Sequence, residues 1–275
     1  MSTYVFDPTW TAQQDRLLAL ESLFDDASTR HLIDLGVTQG WRCLEVGCGA
    51  GGIARWLARR VGLRGCVVAI DLDTSFVDGD GYHNLEVRQQ DLMCDPLEEG
   101  VFDLVHARAV VEQIPDRQGA MRRVAAALRP GGWAVIEDTA FGGPIAAALA
   151  GYVHPAAKAP FAERMIRAVE VAFSGVGVDA AFGTRLVEEL EAAGLEGLGG
   201  VVHTPLVAGG TERWLRGTVE ELGPRLAGTG LVTEAEVARF LELAADASFR
   251  YAPPFMVTAW GRRPLCEQPV QVNVP

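Results

Sequence analysis

Arg42-Cys43-Leu44-Glu45-Val46-Gly47-Cys48-Gly49-Ala50-Gly51-Gly52-Ile53 reads as a short apolar strand that ends in an acid, passes four glycines within six residues and opens a helix. Ile53, Trp56, Leu57 and Val61 follow at helical spacing and give that helix one apolar face. Glycines permit the tight strand-to-helix turn and let a ligand lie against bare backbone, with the helix N–H groups available to it.

Gly47, Gly49 and Gly52 satisfy G-x-G-x-x-G, a dinucleotide fingerprint that is weak by itself. A pyrophosphate on the helix N-terminus would be doubly anionic, and Glu45 sets a negative charge beside it. A ligand carrying an ammonium and a sulfonium is instead attracted by that acid. Glu45 to Gly51 resembles motif I of the class I methyltransferases, E/D-x-G-x-G-x-G, and matches it at every fixed position. The resemblance implies S-adenosylmethionine as cofactor, held around Glu45, Gly47, Cys48, Gly49 and Gly51.

Working outward, Cys66-Val67-Val68-Ala69-Ile70 is a continuous apolar run, as in a strand covered on both faces. It ends in Asp71-Leu72-Asp73. An acid about twenty to thirty residues past a glycine turn accepts hydrogen bonds from ribose hydroxyls; Asp71, with Leu72 after it, is the candidate, and Asp73 reads as a turn cap. Leu85 to Leu92 is a third strand ending in Asp91, and Phe102 to Arg108 a fourth. Met121, Val124, Ala125 and Leu128 form an amphipathic helix stopped by Arg129-Pro130-Gly131-Gly132, before a fifth strand at Trp133–Glu137. The "FDLV" strand and "LRPGG" turn extend the resemblance. It implies Asp91 at the adenine amine with Leu92 against the ring, and His106, Ala107 and Arg108 beside the methionine portion. Gln113 stands where many relatives carry histidine.

Alternating strands and helices, with acids and glycines at strand C-termini, specify a Rossmann-like, doubly wound α/β fold. The family implies a mostly parallel sheet of seven strands, the last of them (Phe255–Trp260) antiparallel, with helical cap insertions. One domain is expected over residues 1–263, followed by a tail, 264–275. Within it lie an N-terminal helical segment (1–40), a cofactor-binding half (41–140), a helical insertion (141–183) and the rest of the sheet (184–263), itself interrupted at 206–250. In the first segment, Leu17, Leu20 and Phe24 predict a helix over Trp10–Phe24, and a second runs from Ser28 to Gly36. These helices either close over the cofactor or form an extra packing layer. A helix over Thr184–Ala193, a strand at Leu198–His203, a helix over Thr211–Leu222 and one capped by Thr233 and Glu236 follow. The first insertion, about forty residues where connections usually take two to six, reads as a substrate lid hinged at its glycines.

Composition limits what else the chain does. In 275 residues, 49% are apolar and 22% charged, as in an ordinary globule with a sizeable core. The net charge of −12 opposes nucleic acid and anionic membrane. Lys158 is the single lysine, and with abundant Ala and Gly this points to a GC-rich bacterial genome. Five cysteines without a C-x-x-C pair predict no disulfide framework, and no His/Cys spacing predicts a metal. Neither a signal peptide nor a membrane span is legible, so a cytoplasmic protein is expected. A homodimer through the sheet edge or the cap is compatible with the sequence.

The motifs hold no universal catalytic residue, because an activated methyl donor needs chiefly a positioned nucleophile. Substrate identity must reside in the insertions and the N-terminal segment. His154, between Val153 and Pro155, is the first candidate for a general base, with Tyr152 beside it. Phe141, His203, Trp214, Tyr251 and Phe255 are further candidate substrate contacts. A backbone-bonded loop histidine and ordinary cap core are the competing readings, and Glu112 reads as a solvated acid. The expected activity is methyl transfer to a small organic acceptor, in bacterial secondary metabolism. Two alternatives are a non-methylating enzyme using the same cofactor (cyclisation, isomerisation or decarboxylation) and a non-catalytic, partner-binding relative.

Overall fold

The computed structural model describes residues 12–79 and 81–265. Helix α1 (Gln13–Asp34) leads into β1 (Arg42–Val46), α2 (Gly52–Val61), β2 (Cys66–Asp71), β3 (Leu85–Gln89) and β4 (Phe102–Arg108). Then come α3 (Arg117–Ala127), β5 (Leu128–Ala140), α4 (Pro144–Ala150), α5 (Ala159–Ser174), α6 (Leu186–Ala192) and β6 (Glu196–His203). Strand β7 (Val207–Ala208), α7 (Trp214–Gly228), α8 (Glu234–Ala245), β8 (Arg250–Tyr251) and β9 (Phe255–Arg262) complete it.

The main sheet has seven strands in the order β3-β2-β1-β4-β5-β9-β6. β1 pairs in parallel with both β2 and β4, whereas β9 runs antiparallel to β5 and β6. This is the expected Rossmann-like architecture, antiparallel in its last strand. The chain winds outward from β1 in two directions, so a crevice opens beyond the strand C-termini at β1 and β4, where such sheets take ligands. Leu44, Val68, Val105 and Ile136, all 2% exposed or less, anchor the core on one face of the sheet.

One expectation at the N-terminus needs correcting. α1 is one continuous helix rather than two, because its buried stripe, Leu20, Phe24, Ser28 and Leu32, keeps a four-residue spacing straight through the presumed break. Ser28 does not cap a new helix; its Oγ bonds back to Phe24 O at 3.1 Å. Trp10, Asp80 and the tail beyond Leu265 lie outside the described residues. β5 is also longer than its apolar run, since β9 pairs with it as far as Ala140.

The two insertions are not separate excursions. Helices α4 and α5 share one apolar core with α7 and α8, centred on Met165, Val169, Leu222 and Phe240. β7 pairs with β8, and backbone bonds between His154 and Arg250 (2.8 and 2.9 Å) stitch the first insertion to the second. The Thr233–Glu236 capping box that opens α8 is present in both directions. The result is a single packed helical cap over the strand C-termini, with α1 joining it through the edge-on contact of Phe24 and Trp214 at 6.0 Å.

Candidate active site

Gly47 turns with φ +67°, and a Cβ there would meet Val110 Cγ2 at 2.2 Å; only glycine fits. The turn is fastened to the end of β2, where Asp71 Oδ2 accepts from Gly49 N at 2.9 Å and Oδ1 accepts from Asp73 N at 3.2 Å. A second acid reaches it from α1. Glu21 Oε1 accepts from Gly52 N at 2.7 Å and so occupies a donor at the start of α2 that was expected to be open to a ligand. Burial is the main cause that raises the carboxyl pKa values of Glu21 and Asp71.

Beyond the turn, a cavity of about 410 Å³ runs from the ends of β1–β4 to the underside of the cap. One end is lined by Gly47, Cys48, Gly49, Asp71, Asp91 and Leu92, together with Leu72, all anticipated from the sequence. Asp91 is braced by Met93 N at 2.7 Å on its Oδ1. The other end is apolar, with Val110, Phe141, Val169, Phe173, Trp214 and Leu215 in its walls. A smaller apolar slot inside the cap shares Phe141, Val169, Leu215 and Pro254 with this end.

Three of the anticipated cofactor contacts stand elsewhere. Ala107 is buried in the sheet core, 1% exposed, and Gly51 is the N-cap of α2. His106 is wholly buried beneath the turn, its Nδ1 2.7 Å from Glu45 Oε2 and its Nε2 3.5 Å from Glu137 Oε2. Desolvation alone would lower its pKa, but the charges of Glu45 and Glu137 and the hydrogen bond to Glu45 outweigh it and push the imidazole up to about 10. His106 is therefore an imidazolium inside the sheet, where it cannot touch a ligand. Glu137 is drawn down to about 2: burial opposes this, and the adjacent His106 and Arg108 charges and the Ser28 hydrogen bond overcome it.

Arg108 and Glu45 both line the cavity, yet both are engaged by protein groups. Arg108 donates to Ser28 Oγ at 3.0 Å and to Asp25 Oδ1 at 2.6 Å. Ser28 Oγ in turn bonds Glu137, and Thr258 Oγ1 donates to the other Glu137 oxygen at 2.8 Å. α1 is thus fixed to β4, β5 and β9 by a buried polar chain.

The candidate base fares differently again. His154 is exposed and held by its backbone to Arg250, and Tyr152 is 52% exposed; neither lines the cavity. His203 stacks edge-on near Phe24 at 6.3 Å, and the Tyr251 hydroxyl donates to Glu212 at 2.5 Å inside the cap. Of the aromatic candidates, Phe141 and Trp214 border the cavity.

A buried acid in the cavity wall besides Glu45 is Glu112, not solvated but 4% exposed. Glu112 Oε2 accepts from Thr139 N at 2.8 Å and Thr139 Oγ1 at 2.5 Å. Asp138, also fully buried, accepts from Val110 N at 3.0 Å and Glu112 N at 3.2 Å. The sequence held a signal for this pair: Glu112 is flanked by Val110, Val111 and Ile114, and Asp138 continues an apolar strand. Gln113 Oε1 and Trp214 Nε1, both in residues lining the same cavity, are buried without a hydrogen-bond partner among the described residues.

Known proteins accord with this geometry. A family model described as a methyltransferase domain matches residues 44–136. The chain is 34% identical over 110 residues to the methyltransferase GfsG of Streptomyces halstedii, a match covering 38% of this chain and 40% of that protein. It spans less than half the length of this and other curated relatives it matches. Among solved structures, the YcgJ protein of Bacillus subtilis superposes with a TM-score of 0.59 at 14% identity, covering 87% of this chain and 99% of that one. Phosphoethanolamine N-methyltransferase 2 of Haemonchus contortus, solved with S-adenosylhomocysteine, gives a TM-score of 0.55 at 16% identity, covering 92% of this chain and 58% of that one. These two show the fold. With its glycine turn and strand-end acids, the chain carries over residues 44–136 a stretch similar to the methyltransferase domain, set in the Rossmann-like fold of the solved neighbours.

Proposed function

We propose that this protein binds S-adenosylmethionine at the glycine turn and methylates a small, largely apolar organic molecule held beneath the cap. The observation that carries the reading is the continuity of the cavity, from Asp71 and Asp91 at one end to Phe141, Phe173 and Trp214 at the other. The residues fit the cofactor. Asp71 would hold the ribose hydroxyls, Asp91 and Leu92 the adenine, and the Gly47–Gly49 backbone with Glu45 and Glu21 the amino-acid portion. Glu21 on Gly52 N sets a carboxylate at the helix start, where a pyrophosphate would be repelled. When bound, the cofactor would supply an electrophilic sulfonium methyl group.

The protein's own part is to orient the acceptor and exclude water, and the apolar cap walls suit both tasks. The slot shared with the cavity has room for an apolar extension of the acceptor. We take residues 1–263 as one working domain, acting in the cytoplasm of a bacterium on a secondary metabolite; the single lysine and the Streptomyces relative support this setting. Among the described residues no helix is long and apolar enough to cross a membrane.

Calorimetry with S-adenosylhomocysteine and with NAD tests the cofactor, and mass analysis of products from a small-metabolite panel tests the reaction. Binding of the sulfur compound alone and a gain of one CH₂ are expected. Product formation without that gain would mean a non-methylating enzyme; tight NAD binding would overturn the cofactor reading.

A further inference from the structure

The acceptor end of the cavity contains a group that methyl transfer to a carbon or oxygen nucleophile can use. Glu112 sits at the cavity wall with its Oε2 fixed by two bonds from Thr139. No described residue bonds its Oε1. Two residues of the same lining also carry a buried polar atom without a partner among the described residues: the Gln113 carbonyl oxygen and the Trp214 indole N–H. The free Glu112 oxygen is a carboxylate acceptor in a largely apolar wall, which points to a polar head on the ligand. The remaining walls at this end are apolar.

We propose that Glu112 is the proton acceptor for a weakly acidic hydroxyl, phenolic or enolic, on the acceptor molecule. This deepens the methyltransferase reading and rests on it. The hydroxyl O–H bond breaks, its proton passes to Glu112 Oε1, and the oxygen keeps the electron pair that makes it the nucleophile. The carboxylic acid so formed returns its proton to solvent between turnovers.

The surroundings suit this task. Burial is the main cause that pushes the Glu112 carboxyl up to about 7. The bonds from Thr139 and the charge of Arg117, which itself donates to Glu112 O at 2.8 Å, pull the other way, and Asp179 adds to the rise. Asp138 faces Glu112 from β5 and is raised well above the usual range by burial and by the Glu112 charge; Arg185 pairs with Asp179. A base near 7 is matched within about three units to a phenol near 10. A simple alcohol lies too far above it, and an ammonium would meet the positive cofactor.

The test uses the full chain saturated with S-adenosylhomocysteine and two probes, 1-naphthol and its methyl ether, 1-methoxynaphthalene. Calorimetry is expected to show naphthol binding at least tenfold tighter at pH 8, with the preference fading as the pH falls through about 7. Glu112→Gln should flatten that pH dependence. Thr139→Val, which removes a bond favouring the charged carboxylate, should move its midpoint upward; this variant serves if Glu112→Gln does not fold. Equal affinity for the two probes, absence of naphthol binding, or a preference unchanged in both variants overturns the assignment while leaving cofactor binding intact. Failure of S-adenosylhomocysteine to bind would overturn the underlying reading as well.

Discussion

His106 Nδ1 lies 2.7 Å from Glu45 Oε2, so the acid of the glycine turn is held from inside the sheet by a buried cation. Glu137 completes the arrangement on the far side of the ring, and α1 reaches it through Ser28. The cofactor turn and the helix that covers it therefore share one electrostatic support.

Removing that cation should be costly. His106→Gln is expected to lower folding stability by about 3–5 kcal/mol, since two buried carboxylates lose their common partner. The pH dependence has a definite sign. The folded-state pKa of His106 is raised to about 10 from 6.5, so its contribution is full below 6.5 and is lost as pH rises toward 10. Glu137, lowered from 4.5 to about 2, contributes fully above 4.5 and loses that contribution as pH falls toward 2. Denaturant unfolding between pH 6.5 and 10 should show falling stability in the wild type and little slope from this source in the variant.

Asp71 has two duties, and its substitution should register in both. Asp71→Ala is expected to weaken S-adenosylhomocysteine binding by about 1.5–3 kcal/mol, the range for hydrogen bonds to a charged group. It should also lower stability without cofactor, because Gly49 N loses the carboxylate that fixes the turn. Calorimetry and thermal melts of the apo protein separate the two. Unchanged cofactor affinity would move the ribose contact to another acid, with Asp73 the next to replace.

The sheet was legible because its evidence is local. Apolar runs such as Cys66–Ile70, strand-end acids and the Gly47–Gly52 turn each carry their conformation within a few residues. The cavity lining was legible where a single motif builds it, as at Gly49, Asp71 and Asp91. It was illegible where distant segments meet. Nothing near Glu21 in the chain announces that it will cap α2, and nothing near His106 shows that a carboxylate will stand on either side of its ring. Glu112 was misread because an isolated acid defaults to solvent; only β5, bringing Asp138 and Thr139 alongside, shows it to be buried. His154 was attractive as a base for its position in an insertion, but the pairing with Arg250 needs the second insertion, about a hundred residues on, to be seen.

Asp25 and Glu21 together make α1 a latch over the turn. Asp25→Asn weakens the bond to Arg108, and Glu21→Ala removes the cap on Gly52 N, worth about 0.5–2 kcal/mol. Hydrogen exchange in Gln13–Asp34 is expected to quicken severalfold in the double variant, with β1 and β2 protected as before. S-adenosylhomocysteine should slow that exchange again if α1 closes on the cofactor. Unchanged exchange in α1 would show that Leu20, Phe24 and Leu32 alone hold it down.

The passage between the cavity and the cap slot gives the sharpest handle on acceptor shape. Phe141, Val169, Leu215 and Pro254 border both spaces, and Leu215 opens the first turn of α7 next to Trp214. Leu215→Trp should fill the passage. Acceptors with an apolar extension are then expected to lose at least tenfold in kcat/KM, while acceptors lacking it lose little and S-adenosylhomocysteine affinity stays the same. Leu215→Ala should act oppositely on acceptor choice, tolerating bulkier extensions, at a stability cost of about 2–5 kcal/mol if the site does not collapse. Overpacking by tryptophan costs about 1–3 kcal/mol, so thermal melts must accompany the kinetics to show that each variant is folded at the assay temperature. A folded Leu215→Trp protein that treats long and short acceptors alike would mean that the slot is packing space within the cap and that the acceptor lies wholly between the glycine turn and Glu112.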